Sequence, residues 1–203
     1  MEMIWNDAAV PFYLGENPVS VKSSEAILWV DVETTGDLPE TDELLEIGAM
    51  VTDLSGVPIS QGFEALVHVS NISEVISRTS TTVYDLHERS GLWLDLWNKK
   101  CAELGQIEEE IIKWLDNVVS PETVLYFGGN SITLDRNFVR LNLPKFYQRF
   151  SHRSIDVTSL SIALQSNTEV GPFRKAKAHR ALLDVEDSVL EYRYYLQAVR
   201  QFA

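Results

Sequence analysis

The sequence predicts an α/β domain built on a mixed β-sheet with helices on its faces, and three observations predict it. Apolar runs between residues 27 and 69 are short, alternate, and end in turn residues, as the strands of an antiparallel meander do. From residue 105 onward, stretches with helical spacing alternate with short apolar strands. With 203 residues and 45% hydrophobic content, the chain is long enough to bury one core.

Residues 1–25 lack periodicity and contain Pro11, Gly15 and Pro18, so they read as an irregular N-terminal extension to a domain over 26–203. "AILWVDVET" is the central strand, and "TGDLPETD" the turn after it. "ELLEIGAMVTDLSG" is a second strand closed by Ser55–Gly56, and "PISQGFEALVHV" a third. Between Asn71 and Leu104 the pattern is mixed, with short helices expected in "TTVYDLHERS" and "GLWLDLWNKKCAEL". "GQIEEEIIKWLDNVV" has apolar residues at 107, 111, 112, 114, 115 and 118, the stripe of an amphipathic helix. "ETVLYFGGN" is a strand entering a Gly-Gly turn, and "TLDRNFVRLNL" the helix that follows it. "RSIDVTSL" leads from strand to helix, and "LLDVEDSVLEYRYYLQAVRQF" is a long closing helix.

Composition narrows the setting. A single cysteine, Cys101, excludes an internal disulfide and argues against a cysteine-built zinc site, as expected of a cytoplasmic protein. No apolar run approaches a membrane span, and the N-terminus has no signal-peptide pattern. The net charge of -13 argues against a long polyanionic partner, but its distribution is uneven. Between Arg136 and Arg180 there are nine Lys or Arg and only Asp156 and Glu169 as acids. That local excess suits either a small anionic partner or an ordinary basic surface.

Asp31 and Glu33 stand i,i+2 at the exit of the first strand, so both side chains share a face and repel each other. Asp135 opens the helix after "LYFGGNSI", and Asp184 opens the last helix five residues after His179. Singly, each has a plainer account: a polar strand end, a charge favoured by a helix dipole, a surface histidine. Four carboxylates converging with little positive charge nearby point instead to divalent metal, and hard oxygen ligands favour Mg²⁺ or Mn²⁺.

"DVETTG", "GNSITLD" and "HRALLD" occur in the order and spacing of the three motifs of the DEDDh exonucleases. "LWVDVETTGDLPETDELLEIGAMVTD", "GNSITLDRNF" and "HRALLDVEDSVLEYRYY" resemble the motifs of oligoribonucleases in particular, with "HERSGL" and "SIDVTSL" as further similar segments. The resemblance covers roughly residues 26–197. It implies a ribonuclease H-like fold and 3′-to-5′ hydrolysis of short RNA to nucleoside 5′-monophosphates by a two-metal-ion mechanism. Asp31, Glu33, Asp135 and Asp184 would then bind the metals and His179 would be the general base, a role that imidazole suits because it titrates near neutrality. Thr34, Gly36, Leu38, His68, Asn130, Ser131 and Arg153 fall at positions expected to meet substrate, and the family suggests a homodimer, with "GLWLDLW" a candidate patch.

Two departures stand out. Oligoribonucleases carry an apolar residue directly after the motif glycine; here Asp37 takes that place and Leu38 comes one later. They also carry His-Tyr-Arg before the "DVSTL"-like segment as a 5′-phosphate cap, where this chain has Ser151, His152 and Arg153. The altered cap keeps open an alternative substrate, single-stranded DNA or longer RNA ends, since metal-binding motifs do not report the sugar. A non-catalytic nucleic-acid-binding module is a further alternative that retention of all five residues disfavours.

Overall fold

The computed structural model describes residues 24–175 and 178–202, the side chains of 201 and 202 excepted. The expected N-terminal extension therefore lies outside the described residues except for Ser24 and Glu25, and Glu25 already belongs to the first strand. Among the described residues no helix is long and apolar enough to cross a membrane.

The core is a five-stranded sheet of order β3-β2-β1-β4-β5. Strands β1 (Glu25–Thr34), β2 (Leu44–Thr52) and β3 (Phe63–Leu66) form the antiparallel meander. β4 (Val124–Gly129) joins β1 in parallel, and β5 (Phe150–Asp156) joins β4 in parallel. The mixed sheet expected from the sequence is thus present, with β1 at its centre.

Strand alternation assigns the two faces. Even-numbered β1 residues Ala26, Leu28, Val30 and Val32 pack with Ile107, Ile111 and Leu115 of α4 (Leu104–Val118) and Phe138 and Val139 of α5 (Thr133–Asn142). Odd-numbered Ile27 and Trp29 pack with Val157 of α7 (Val157–Asn167) and Val185, Val189, Tyr192 and Tyr195 of α8 (Ala181–Phe202). Asp31 and Glu33 continue that second face, so the row turns from apolar to acidic as it reaches the end of the sheet. A smaller cluster, Leu45, Leu92, Trp93 and Leu96, seats α2 (Thr81–Ser90) and α3 (Leu92–Asn98).

Several elements differ from the sequence expectation. Two short helices, α1 (Ile72–Arg78) and α6 (Pro144–Tyr147), lacked enough turns to show a period. The third strand is only four residues long. The helix expected through Leu104 ends at Asn98, because Ala102 pairs with the chain beyond β3: His68 N–H donates to Ala102 O at 2.8 Å and Ala102 N–H to Leu66 O at 2.9 Å. Gly128 and Gly129 are not a turn but the end of β4. Gly128 pairs with Trp29, and a Cβ there would lie 2.5 Å from Ile27 Cγ2 and 2.8 Å from the Trp29 ring. Only glycine admits that indole across the strand.

Candidate active site

Asp31 and Glu33 leave β1 on the face covered by α8, and Asp184 enters from the first turn of α8. One ligand atom from each of these three acids lies within 4.8 Å of the others. Asp135, in the first turn of α5, is buried beside them and accepts from the Val32 N–H at 3.1 Å. The structure therefore gathers all four sequence-predicted acids at one end of the central strand.

Their electrostatics record the crowding. Burial raises the pKa of Asp31 well above the carboxylate range, and the charges of Asp135, Glu33 and Asp184 raise it further. Glu33 is pushed up to about 8, by burial first and then by Asp184 and Glu46. Asp135 is raised to about 7 by burial, against the pull of the Val32 hydrogen bond. Burial also raises Asp184, partly offset by His179. Carboxylates held this way take up either protons or cations. Lys175 is one positive charge that acts on both Asp31 and Asp184.

His179 lies within electrostatic reach of Asp184 and lines a cleft of about 260 Å³ with Thr82, Asp85, Leu86 and Arg89. Among the described residues, His179 (φ 52°) and Ser131 (φ 50°) are the two non-glycine positions in the left-handed region. Both were singled out from sequence, and strained backbone gathers at functional sites.

The remaining predicted contacts divide. Thr34 Oγ donates to Gly36 O at 2.7 Å, forming the turn out of β1. Leu38 projects from that turn at 61% exposure, its N–H held by Asp42 Oδ2 at 2.9 Å. Ser131 donates through N–H to Asp156 Oδ1 at 3.1 Å and through its hydroxyl to Thr158 at 3.2 Å. Asn130 is engaged within the protein, accepting from Lys175 Nζ at 2.7 Å and donating to Glu191 at 2.9 Å. Arg153 is exposed on β5 next to the Tyr126 hydroxyl. His68 belongs to a different cleft, paired with Glu103 at 2.7 Å among Glu43, Asn71, Glu74 and Arg78.

Half of the described cations in the basic stretch are spent on internal partners. Arg136 lies over the Phe127 and Tyr147 rings at 5.6 and 5.5 Å, Arg149 pairs with Asp116, and Lys175 and Arg180 pair with Glu191 and Glu46. Arg140, Lys145, Arg153 and Arg174 remain exposed.

Sequence reasoning missed His87. It is buried, its Nε2 lies 2.8 Å from Thr34 O, and its Nδ1 sits 3.6 Å from Glu33 Oε2 with no hydrogen-bond partner among the described residues. Burial lowers its pKa, so the ring faces Glu33 neutral. Its helix placement gave no local sign of this; only "HERSGL" drew notice as a segment. Glu46 was also missed, although one acid within the apolar strand "LLEIGAMVT" was a usable signal.

Buried carboxylates converging near a histidine at the end of a mixed sheet form an arrangement suited to a divalent metal. Residues 28–192 match the family described as Exonuclease, RNase_T, and the chain belongs to that family. It is 31% identical to the oligoribonuclease of Rhodococcus jostii over 174 residues, covering 84% of this chain and 86% of that one. It is 32% identical to the oligoribonuclease of Vibrio parahaemolyticus over 182 residues, covering 87% and 97%. Among solved structures it resembles exonuclease I of Methylocaldum szegediense (TM-score 0.60, 17% identity, 85% of this chain and 40% of that one). It also resembles a metal-free complex of E. coli exonuclease I with single-stranded DNA (TM-score 0.58, 15% identity, 87% and 41%). The chain spans about two fifths of the length of these exonuclease I chains, and the likeness shows the ribonuclease H-like fold they share.

Proposed function

We propose that this protein is a 3′-to-5′ exoribonuclease that removes nucleoside 5′-monophosphates from short single-stranded RNA. The observation that carries the reading is the convergence of Asp31, Glu33 and Asp184 within 4.8 Å, with Asp135 buried alongside. Repulsion among buried carboxylates is relieved by hard cations, so these four acids would hold two divalent ions, Mg²⁺ or Mn²⁺. When bound, such ions supply Lewis acidity toward the scissile phosphate and acidify the attacking water. His179, at the wall of the adjoining cleft, takes the proton from that water. The new phosphorus–oxygen bond forms as the bond to the neighbouring 3′ oxygen breaks. Leu38, exposed on the turn after β1, offers an apolar contact to a base, and Thr34 and Gly36 shape that turn. Ser131 and Arg153 supply polar and cationic contacts to the strand, with Asn130, held by Glu191 and Lys175, next to Ser131.

Only four described cations of the basic stretch are exposed, which suits a substrate of a few nucleotides better than a long polymer. The relatives' oligoribonuclease names support the same reading. Ser151 and His152, at the edge strand where a cap would lie, favour a second reading in which single-stranded DNA or longer RNA ends are also cut. We place the protein in the cytoplasm as a homodimer, with Leu94 and Trp97, 66% and 62% exposed on α3, as interface anchors. The other apolar residues of that segment, Leu92, Trp93 and Leu96, are buried in the fold.

The test is hydrolysis of 5′-labelled RNA of two, five and about twenty nucleotides beside matching single-stranded DNA. Each is run with Mg²⁺, Mn²⁺ or EDTA, with Asp31→Ala as the control. Metal-dependent cleavage fastest on the shortest RNA supports the reading. Equal cleavage of DNA moves the protein to a general 3′ exonuclease, and inactivity on every substrate refutes an enzymatic role.

A further inference from the structure

Glu46 is a fifth carboxylate at this end of the sheet. It stands directly across from Glu33 in the β1–β2 register and is 2% exposed. It is fully occupied. Arg180 Nε donates to its two oxygens at 3.2 and 3.1 Å, and Arg180 Nη2 donates to Oε1 at 2.7 Å. The Ala181 N–H donates to Oε2 at 3.0 Å, so Glu46 also caps the first turn of α8. The far side of the same guanidinium reaches Asp95 of α3, with Nη1 2.7 Å from Oδ2.

His179 immediately precedes Arg180 and holds a left-handed backbone. That conformation is unfavourable for an L residue and persists only where neighbours over-determine it. A planar guanidinium bound on two edges supplies such a constraint, because it fixes orientation as well as distance. The Asp184 N–H also donates to Arg180 O at 2.9 Å, so one residue sets the entry of the helix that carries the fourth acid.

We propose that Arg180, through Glu46 and Asp95, is the positioning residue for His179, holding its imidazole in the orientation that accepts the proton. The proposal rests on His179 being the general base. With its guanidinium held by Glu46 and Asp95, Arg180 acts through the backbone it shares with the histidine.

A double-mutant cycle on short RNA at saturating metal tests it. Arg180→Gln should lower kcat by about tenfold or more with KM within about twofold, and Arg180→Lys, which keeps the charge without the fork, should fall between. In a His179→Ala background, Arg180→Gln should cost less than about twofold more, because the ring it orients is gone. Losses that multiply, or an Arg180→Gln enzyme with unchanged kcat, overturn the proposal. Should Arg180→Gln alone unfold, because it strands a buried charge, the paired Arg180→Gln/Glu46→Gln variant carries the same cycle and the same expectations. A His179→Ala enzyme with full turnover would instead refute the general-base reading, and the proposal with it. That outcome is distinct from multiplied losses.

Discussion

At Gly48 the backbone that opens α8 leaves no room for a side chain on β2, which makes Gly48→Ala a sharp perturbation of the fold. A Cβ at this position would lie 2.4 Å from both the Ala181 carbonyl carbon and the Leu182 nitrogen. Ordinary contact begins at 3.4 Å, so the backbone at the start of α8 must withdraw by about 1 Å, since neither atom belongs to a flexible side chain. Gly48 pairs directly with Asp31, and the first turn of α8 carries Asp184, so the displacement opens the gap between two of the clustered acids. A misplacement of about 1 Å costs on the order of 10²-fold in rate. The overpacking itself should cost about 1–3 kcal/mol, less than the 5–15 kcal/mol stability typical of a domain. The variant should therefore fold, melt at a lower temperature, and lose about 10²-fold in kcat/KM on short RNA. Steady-state hydrolysis and circular-dichroism melting measure both. A folded Gly48→Ala enzyme within about twofold of wild type would refute the claim that the seat of α8 on β2 sets the geometry of the site.

Other consequences follow from the same structure. In the metal-free protein Glu33 is raised from 4.5 to about 8 and Asp135 from 3.8 to about 7, so the folded state holds protons that the unfolded chain has lost. Their contribution therefore lowers stability as pH rises from about 4 to about 8, and metal binding must displace those protons. The melting-temperature gap between Mn²⁺-saturated and EDTA-treated protein should widen from pH 6 to 8.5; a constant gap contradicts this. Gly105→Ala in α4, where a Cβ meets nothing within 4 Å, should stabilise the protein by up to about 1 kcal/mol with kcat unchanged, as denaturant melts and kinetics will show. Glu108 accepts from the Lys145 and Phe146 N–H groups at 2.6 and 3.3 Å, so Glu108→Ala should cost about 1–2 kcal/mol in urea unfolding and leave KM unaltered.

Much of this protein is decided locally and was legible in one dimension. The i,i+2 spacing of Asp31 and Glu33 puts both acids on one face of β1, because strand alternation is a property of adjacent residues. The 107, 111, 115 stripe of α4 and the placement of Asp135 and Asp184 in first turns follow from helix period and dipole in the same way. What remained hidden are relations between distant segments. Gly128 and Gly129 read as a turn because nothing nearby announces that Trp29, about a hundred residues earlier, needs the empty space beside Gly128. Arg136, Arg149, Lys175 and Arg180 read as a basic surface, whereas their partners, aromatic rings for Arg136 and carboxylates for the others, lie on other elements and became visible only in the fold. His87 reaches Thr34 across 53 positions and Arg180 reaches Glu46 across 134. Sequence alone picked out the four acids that the fold gathers, since their places at the ends of strands and helices are local features. Tertiary structure decided which neighbours neutralise, orient and crowd those groups, because burial and ion pairing depend on where the whole chain returns to the sheet.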